Sequence, residues 1–369
     1  MPNSRVLIAA GGTGGHVYPA IAIADALKAE NKDTEVLFVG TKNHMEWTAV
    51  PKAGYNIKDI WISGFQRRLT LTNILFPLKL VTSLVQSMSI IARFKPEVVV
   101  SCGGYVAGPI GYVAEKKKLP VVVQEQNSYP GVTNRLLAKA AHVIFTAFKK
   151  ADDYFPQGKT VLAGNPTRAA LVGVDKEKAA ASFEFDSNKQ ALLVLGGSLG
   201  ARTINAAIKE NLDVLHNDLE LQIIWQCGKR YIDELSTDID TDSYPNLRLQ
   251  AYLENMPEAY ATADIVVSRA GASSCSELML TGKPSVLVPS PIVAGDHQTH
   301  NAMAMVNEGA AVLLKDADAV QNLVHTLQSL IADRDQLSNM ASAALKLAKP
   351  DAAKTIAHEI LTLSKAQLN

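Results

Sequence analysis

The chain is short of the residues that would make it a disulfide scaffold, a membrane span or a nucleic-acid groove. It has three cysteines in 369 residues, Cys102, Cys227 and Cys275, with no CxxC spacing. An odd, scattered count argues against a disulfide framework and for a reducing compartment. Aromatic residues make up 6% of the chain and do not interleave with basic ones, so no nucleic-acid partner is expected. The longest uncharged run, Val98 to Ala114, contains four glycines and Pro109, and reads as strand, loop and helix instead of a bilayer span. No secretory leader is expected, because Val6 to Ala10 runs straight into glycines. Asp238, Asp240 and Asp242 lack the glycine and distal glutamate of a calcium loop and read as a solvated turn. Neither a metal nor a cofactor is expected. Acidic residues are missing altogether from Ile60 to Pro96.

What is present fits a soluble α/β protein. Hydrophobic residues make up 47% and charged residues 20%, and the length favours two domains over one core. The net charge of zero hides an asymmetry. Residues 1–164 hold 19 Lys and Arg against 11 Asp and Glu, and residues 165–369 hold 17 against 25. The basic half favours anionic partners.

Short β-branched runs end in glycine turns three times. Arg5 to Ala10 leads into Gly11-Gly12-Thr13-Gly14-Gly15-His16, with a helix expected from about Val17 and Pro19 in its first turn. Glycines there let backbone amides approach a phosphate. The loop matches neither GxGxxG nor a P-loop. His16 is a candidate general base or phosphate partner; the alternative is a helix-start histidine bonding its own backbone. Glu97 to Ser101 leads into Gly103-Gly104-Tyr105, and Val121 to Gln124 into Glu125-Gln126-Asn127. Gln190 to Leu195 then opens onto Gly196-Gly197-Ser198-Leu199-Gly200. Such turns suggest sites along the carboxyl edges of parallel sheets. Gly164 to Arg168 has linker chemistry.

The most informative stretch is Asp264 to Asn301. A strand ending at Ser268 passes through Arg269-Ala270-Gly271 into a helix opened by Ala272, Ser273 and Ser274. Small residues leave the first helical N–H groups open to a phosphate, and Glu277, one turn on, is placed for a ribose. Read alone, the same residues also fit an ordinary strand–turn–helix. Between Ile60 and Pro96, Ile74, Leu78, Val81, Val85 and Met88 form a helical stripe expected to face the core. Leu71, Leu75, Phe76, Leu80 and Leu84 are left for a second apolar face.

The ordered motifs GGTGGH, GGYVAGP, QEQN, GNPTR, GGSLGA, SRAGASSCSE and DHQTHNA span essentially the whole chain. Together they resemble the MurG family of bacterial N-acetylglucosaminyltransferases (glycosyltransferase family 28), hexosyltransferases that convert lipid I to lipid II in peptidoglycan synthesis. Leu199, Gln124 and Ser274 depart from the family's common Gln, His and Thr. The resemblance implies a GT-B fold, two Rossmann-like parallel-sheet domains facing across a cleft. The acceptor- and membrane-associating domain would be 1–164, the donor domain 165–349, and 350–369 a helix returning to the first. It implies inverting transfer from UDP-N-acetylglucosamine to the C4 hydroxyl of undecaprenyl-linked MurNAc-pentapeptide.

By similarity, Glu277 holds the ribose and the Leu253 backbone the uracil. Ala272, Ser273 and Ser274, with Ser198 and Arg168, meet the leaving diphosphate, and Gln298 with Asn127 the sugar hydroxyls. Thr13, Gly14 and Gly15 reach the donor and line the acceptor side, where Gly12, His16, Gly104 and Tyr105 bind acceptor. A peripheral position on the cytoplasmic face of the bacterial membrane is implied, with other cell-wall proteins as further partners. Arg67 and Arg68 beside Leu71, Leu75 and Phe76, with Lys116, Lys117 and Lys118, are the expected contact to an anionic surface. Two rival functions are a UDP-sugar 2-epimerase, which shares the two-domain plan and the donor but leaves GGYVAGP and QEQN unexplained, and a non-catalytic UDP-sugar binder.

Overall fold

The computed structural model describes residues 4–64, 75–167, 169–197 and 199–366, with the backbone alone at Ala169 and Ala294. Arg67, Arg68, Leu71, Ile74, Arg168 and Ser198 lie outside the described residues. The chain divides into two compact units, Met1–Thr167 with Lys349–Asn369, and Arg168–Ala348.

The first unit runs β1 (Arg5–Ala9), α1 (Gly14–Glu30), β2 (Glu35–Gly40), α2 (Glu46–Lys52), β3 (Asn56–Asp59), α3 (Phe76–Phe94), β4 (Val98–Ser101), α4 (Ala107–Lys116), β5 (Val121–Glu125), α5 (Val132–Leu137), β6 (Val143–Thr146) and β7 (Thr160–Leu162). The second runs α6 (Lys176–Ser182), β8 (Ala191–Leu195), α7 (Arg202–Glu210), β9 (Gln222–Gln226), α8 (Ile232–Asp238), β10 (Leu247–Gln250), α9 (Met256–Thr262), β11 (Ile265–Ser268), α10 (Ala272–Thr281), β12 (Ser285–Leu287), α11 (His297–Val306), β13 (Ala311–Leu313), α12 (Ala319–Ala332) and α13 (Arg334–Leu347). The last helix, α14 (Ala352–Ala366), belongs to the first unit.

Both sheets are wholly parallel, ordered β3-β2-β1-β4-β5-β6-β7 and β10-β9-β8-β11-β12-β13. Runs such as Val98-Val99-Val100 and Leu192-Leu193-Val194 are buried on both faces, as parallel strands covered by helices require. The strand order reverses between β1 and β4, and again between β8 and β11. A crevice opens outside the carboxyl ends at such a point. The glycine turns after β1, β4 and β8, and the Arg269–Gly271 turn after β11, all fall there.

In the first unit, α14 packs on α1, and Ile356, Ile360 and Leu361 join Val17, Ile23 and Leu27 in one core cluster. Each such side chain contributes roughly 1.5–3 kcal/mol on burial. The other face of the sheet is covered by α3, α4 and α5.

Two expectations need correction. The helix after the first glycine turn begins at Gly14 instead of Val17, so Gly14, Gly15 and His16 are its first three residues and Pro19 lies in its second turn. The stripe on α3 faces outward: Leu78 is 55%, Val81 60%, Val85 55% and Met88 46% exposed. The inward seam is Ser83, Ser87 and Ile91, flanked by Phe76, Leu84, Ile90 and Phe94. Ser83 and Ser87 satisfy themselves by donating to Leu80 O and Ser83 O at 2.8 and 2.6 Å. Small, self-bonded residues can therefore occupy the side packed on α4 at little polar cost.

Candidate functional site

In the first unit the two glycine turns at the switch point interlock. Gly104 has φ +82°, and a Cβ there would lie 2.4 Å from Gly11 O. Gly103 lies under the His16 ring, where a Cβ would come 2.9 Å from Cδ2. His16 Nδ1 is 3.0 Å from Gly11 O and 3.4 Å from Thr13 Oγ1. A carbonyl only accepts, so Nδ1 carries the proton and Nε2 is the basic nitrogen of the neutral ring. Tyr105 is exposed and lies against Gly64.

Two carboxylates that the sequence reading did not single out hold these loops. Glu46 is fully buried and accepts from Gly12 N at 3.2 Å, Thr41 N at 3.1 Å and Thr41 Oγ1 at 2.8 Å. Glycine at 11 and 40 makes room for it, since a Cβ at either would press on its side chain. Glu125 is also buried. It accepts from Asn127 N and Nδ2, Gly131 N and Asn134 Nδ2 at 2.9–3.2 Å, while Asn134 Oδ1 accepts from Ser101 Oγ at 3.1 Å. Glu125 stands inside the QEQN motif, which does not reveal its partners, and nothing in one sequence marks Glu46.

In the second unit the turn after β8 presses on the turn after β9: a Cβ at Gly200 would lie 2.2 Å from Cys227 O. Gly271, extended at φ −65° and ψ 148°, begins α10 without a capping side chain, and the first helical bond runs from Cys275 N to Gly271 O at 2.9 Å. The N–H groups of Ala272, Ser273 and Ser274 thus lie at the positive end of the helix dipole. Glu277 follows one turn on, and Tyr260 on α9 donates to its Oε2 at 3.0 Å. Leu253 is buried and its N–H donates to Gln226 Oε1 at 2.9 Å. Gln298 Oε1 accepts from Ser290 N at 2.8 Å, and Asn301 Nδ2 donates to Ala270 O at 3.2 Å.

Arg269 ties the strand ends together. Its Nη1 donates to Val288 O at 3.0 Å, to Pro289 O at 3.3 Å and to Asp316, whose other oxygen accepts from Thr203 Oγ1 at 2.9 Å. Asp238 is paired with Lys209, and Asp240 accepts from Asp242 N and Ser243 Oγ. No group of three or more metal-ligating side chains occurs among the described residues. Burial pushes the thiols of Cys102, Cys227 and Cys275 upward, which makes them packing residues and not nucleophiles.

Two doubly wound parallel units with loops of this kind define a protein of the GT-B class. Comparison with known proteins narrows it. The glycosyltransferase family 28 N-terminal domain matches residues 6–146, and the family's C-terminal domain matches residues 191–356. The chain belongs to glycosyltransferase family 28. A relative from Flavobacterium psychrophilum is 44% identical over 369 residues, covering all of both chains. One from Salinibacter ruber is 46% identical over 360 residues, 98% of this chain and 97% of its own. Both are named UDP-N-acetylglucosamine--N-acetylmuramyl-(pentapeptide) pyrophosphoryl-undecaprenol N-acetylglucosamine transferase. Among solved structures, Acinetobacter baumannii MurG superposes with TM-score 0.79 at 30% identity, over 98% of this chain and all of that one. A UDP-N-acetylglucosamine 2-epimerase superposes with TM-score 0.65 at 14% identity, over 98% and 96%, a likeness of fold alone.

Proposed function

We propose that this chain is an inverting hexosyltransferase that moves N-acetylglucosamine from UDP-N-acetylglucosamine to the C4 hydroxyl of lipid I, forming lipid II for peptidoglycan. The observation that carries this reading is likeness over the full length, 44% and 46%, to proteins named for that reaction. The epimerase rival has only the fold in its favour.

In the transfer, the acceptor oxygen bonds to the anomeric carbon as the bond to the UDP β-phosphate oxygen breaks. His16 Nε2 takes the hydroxyl proton; its tautomer suits that task because Nδ1–H is anchored on Gly11 O. The α10 N-terminus, through Ala272, Ser273 and Ser274, stabilises the departing diphosphate, assisted by Ser198 and Arg168. Glu277 takes the ribose. The Leu253 N–H already serves Gln226, so the Leu253 carbonyl is offered to the uracil N–H. Asn127 and Gln298 read the sugar, and Thr13, Gly14 and Gly15 border it. Gly12, Gly104 and the exposed Tyr105 receive the acceptor.

An acceptor on a polyprenyl chain keeps to the bilayer, because each buried CH₂ is worth about 0.8 kcal/mol. No helix among the described residues is long and apolar enough to cross a membrane. Peripheral attachment at the cytoplasmic face fits the exposed Leu75 just before α3 and the outward apolar stripe of Leu78, Val81, Val85 and Met88 on it, in an acid-free segment. Lys116, over the Tyr112 ring, and the Arg67 and Arg68 positions supply positive charge for an anionic leaflet. One assay separates the rivals: UDP release that requires a lipid I analogue supports transfer, UDP-N-acetylmannosamine formation supports epimerisation, and neither supports a binder.

A further inference from the structure

One peptide group stands between a buried carboxylate and the His16 ring. The peptide joining Gly11 to Gly12 is trans, so its oxygen and its N–H point to opposite sides. On one side Gly11 O accepts from His16 Nδ1 at 3.0 Å. On the other, Gly12 N donates to Glu46 Oε2 at 3.2 Å. Glu46 is wholly buried, and its Oε1 accepts from Thr41 N and Thr41 Oγ1 at 3.1 and 2.8 Å. All three partners are donors, so both oxygens of the carboxylate act as acceptors. Glycine lets the stack close: a Cβ at Gly11 would lie 2.8 Å from Glu46 Oε1, and one at Gly104 2.4 Å from Gly11 O. A hydrogen bond to an ionised acceptor is stronger than a neutral one, and bonds in series polarise one another away from water. A carboxylate on the N–H of this peptide therefore raises the electron density on its oxygen, where the imidazole is held.

We propose that Glu46 is a positioning residue for His16 and acts through the Gly11–Gly12 peptide. It fixes the direction of Gly11 O and strengthens it as an acceptor, which holds the ring in the Nδ1–H tautomer and in one orientation. The proposal deepens the reading of His16 as the base and rests on it. No proton passes through the peptide; Glu46 stays an acceptor throughout and touches no substrate. Thr13 Oγ1, 3.4 Å from Nδ1, cannot make the same choice, because a hydroxyl both donates and accepts. Every group in the chain from Thr41 to His16 belongs to the first unit.

The experiment reads the ring nitrogens of His16 by nitrogen NMR on the full chain, at a pH where the ring is neutral. Its signals, among those of eight histidines, are the ones lost in His16→Ala. A protonated ring nitrogen and a bare one differ widely in chemical shift, so the tautomer is read directly. In the unaltered chain Nδ1 should carry the proton. Glu46→Gln offers one oxygen where two are used, so it cannot serve Gly12 N and Thr41 N together. Whichever it serves, the peptide loses its charged partner. The Nδ1–H fraction should then fall, and kcat should drop about five- to thirtyfold with donor KM within about twofold. Thr41→Val keeps the carboxylate and its bond to Gly12, so the tautomer should hold and kcat should stay within about twofold. In the His16→Ala background, Glu46→Gln should cost less than about twofold more. Equal losses in Thr41→Val and Glu46→Gln, with the tautomer intact in both, would reduce Glu46 to a tie between loop and strand and overturn the proposal. A folded Glu46→Gln with tautomer and kcat unchanged overturns it too. So does an Nε2–H ring in the unaltered chain, a result that needs no variant to fold. Ordinary kcat in His16→Ala strikes the reading of His16 as the base; the ring shifts then decide alone whether Glu46 holds the ring.

Discussion

The Tyr260 hydroxyl and the Glu277 carboxylate are joined by a 3.0 Å hydrogen bond between α9 and α10. Tyr260 is fully buried; burial first, and then the charge of Glu277, hold its hydroxyl well above the usual tyrosine value. The phenol therefore remains a donor and orients the carboxylate assigned to the ribose. Glu277→Ala should cost about 1.5–3 kcal/mol in kcat/KM for the donor. Tyr260→Phe should raise donor KM about three- to tenfold with kcat nearly unchanged. The double variant should be little worse than Glu277→Ala alone; fully additive costs would show that Tyr260 does not act through Glu277.

His16 and Gly103 offer a second test. His16→Ala should lower kcat by about 10²- to 10⁴-fold while donor KM moves only a few-fold. Gly103→Ala should approach the same loss, because its φ is +98° and its Cβ would stand 2.9 Å from the imidazole. An His16→Ala enzyme with ordinary kcat would place the base elsewhere.

The outward stripe of α3 predicts a separation of attachment from chemistry. Val81→Glu with Val85→Glu alters exposed positions, so stability should change by no more than about 0.5 kcal/mol for each. Binding to anionic vesicles should fall sharply, and turnover of a soluble short-chain acceptor should persist. Unchanged vesicle binding at low salt would move the docking face off this helix.

Activity should survive exhaustive chelation, because the α10 N-terminus is assigned the work of a metal at the diphosphate. Complete loss in EDTA, restored by Mg²⁺ or Mn²⁺, would remove that assignment and reopen Asp238 and Asp240 despite their present partners.

Lys283 gives a stability prediction with a defined sign. Its ammonium donates to Ala263 O at 2.7 Å, and burial lowers its pKa to about 8 against an ordinary 10.5, with Asp264 opposing and Lys176 adding to the fall. The unfolded chain therefore holds this proton more tightly than the folded one. The burden on stability is fully present below pH 8 and fades as pH rises toward 10.5. A tenfold change in proton affinity is worth about 1.4 kcal/mol, so the burden amounts to roughly 3 kcal/mol at neutral pH. Lys283→Met should gain on the parent in Tm at pH 7, and the gap should narrow by pH 10. A gap that widens with pH would contradict the assigned direction.

Much of this protein was legible in one dimension. The strand runs, the glycine turns that end them and the small residues opening α10 are local features, and local sterics determine them. From those alone followed two parallel α/β units and the edges on which His16, Tyr105, Ala272 and Glu277 lie. Tertiary structure decided the rest. A 3.6-residue period marks two faces of α3 without saying which lies inward, and the inward one proved to be Ser83, Ser87 and Ile91, chosen by close packing on α4. The carboxylates behind the loops, Glu46 and Glu125, are defined by partners from separate elements. So are the brace from Arg269 to Asp316 and the phenol behind Glu277. The end of the Gln298 amide that meets Ser290 N depends on which atom the fold sets against it. An amide carries a donor and an acceptor at equal distance from the chain, and only its neighbours in space can choose between them.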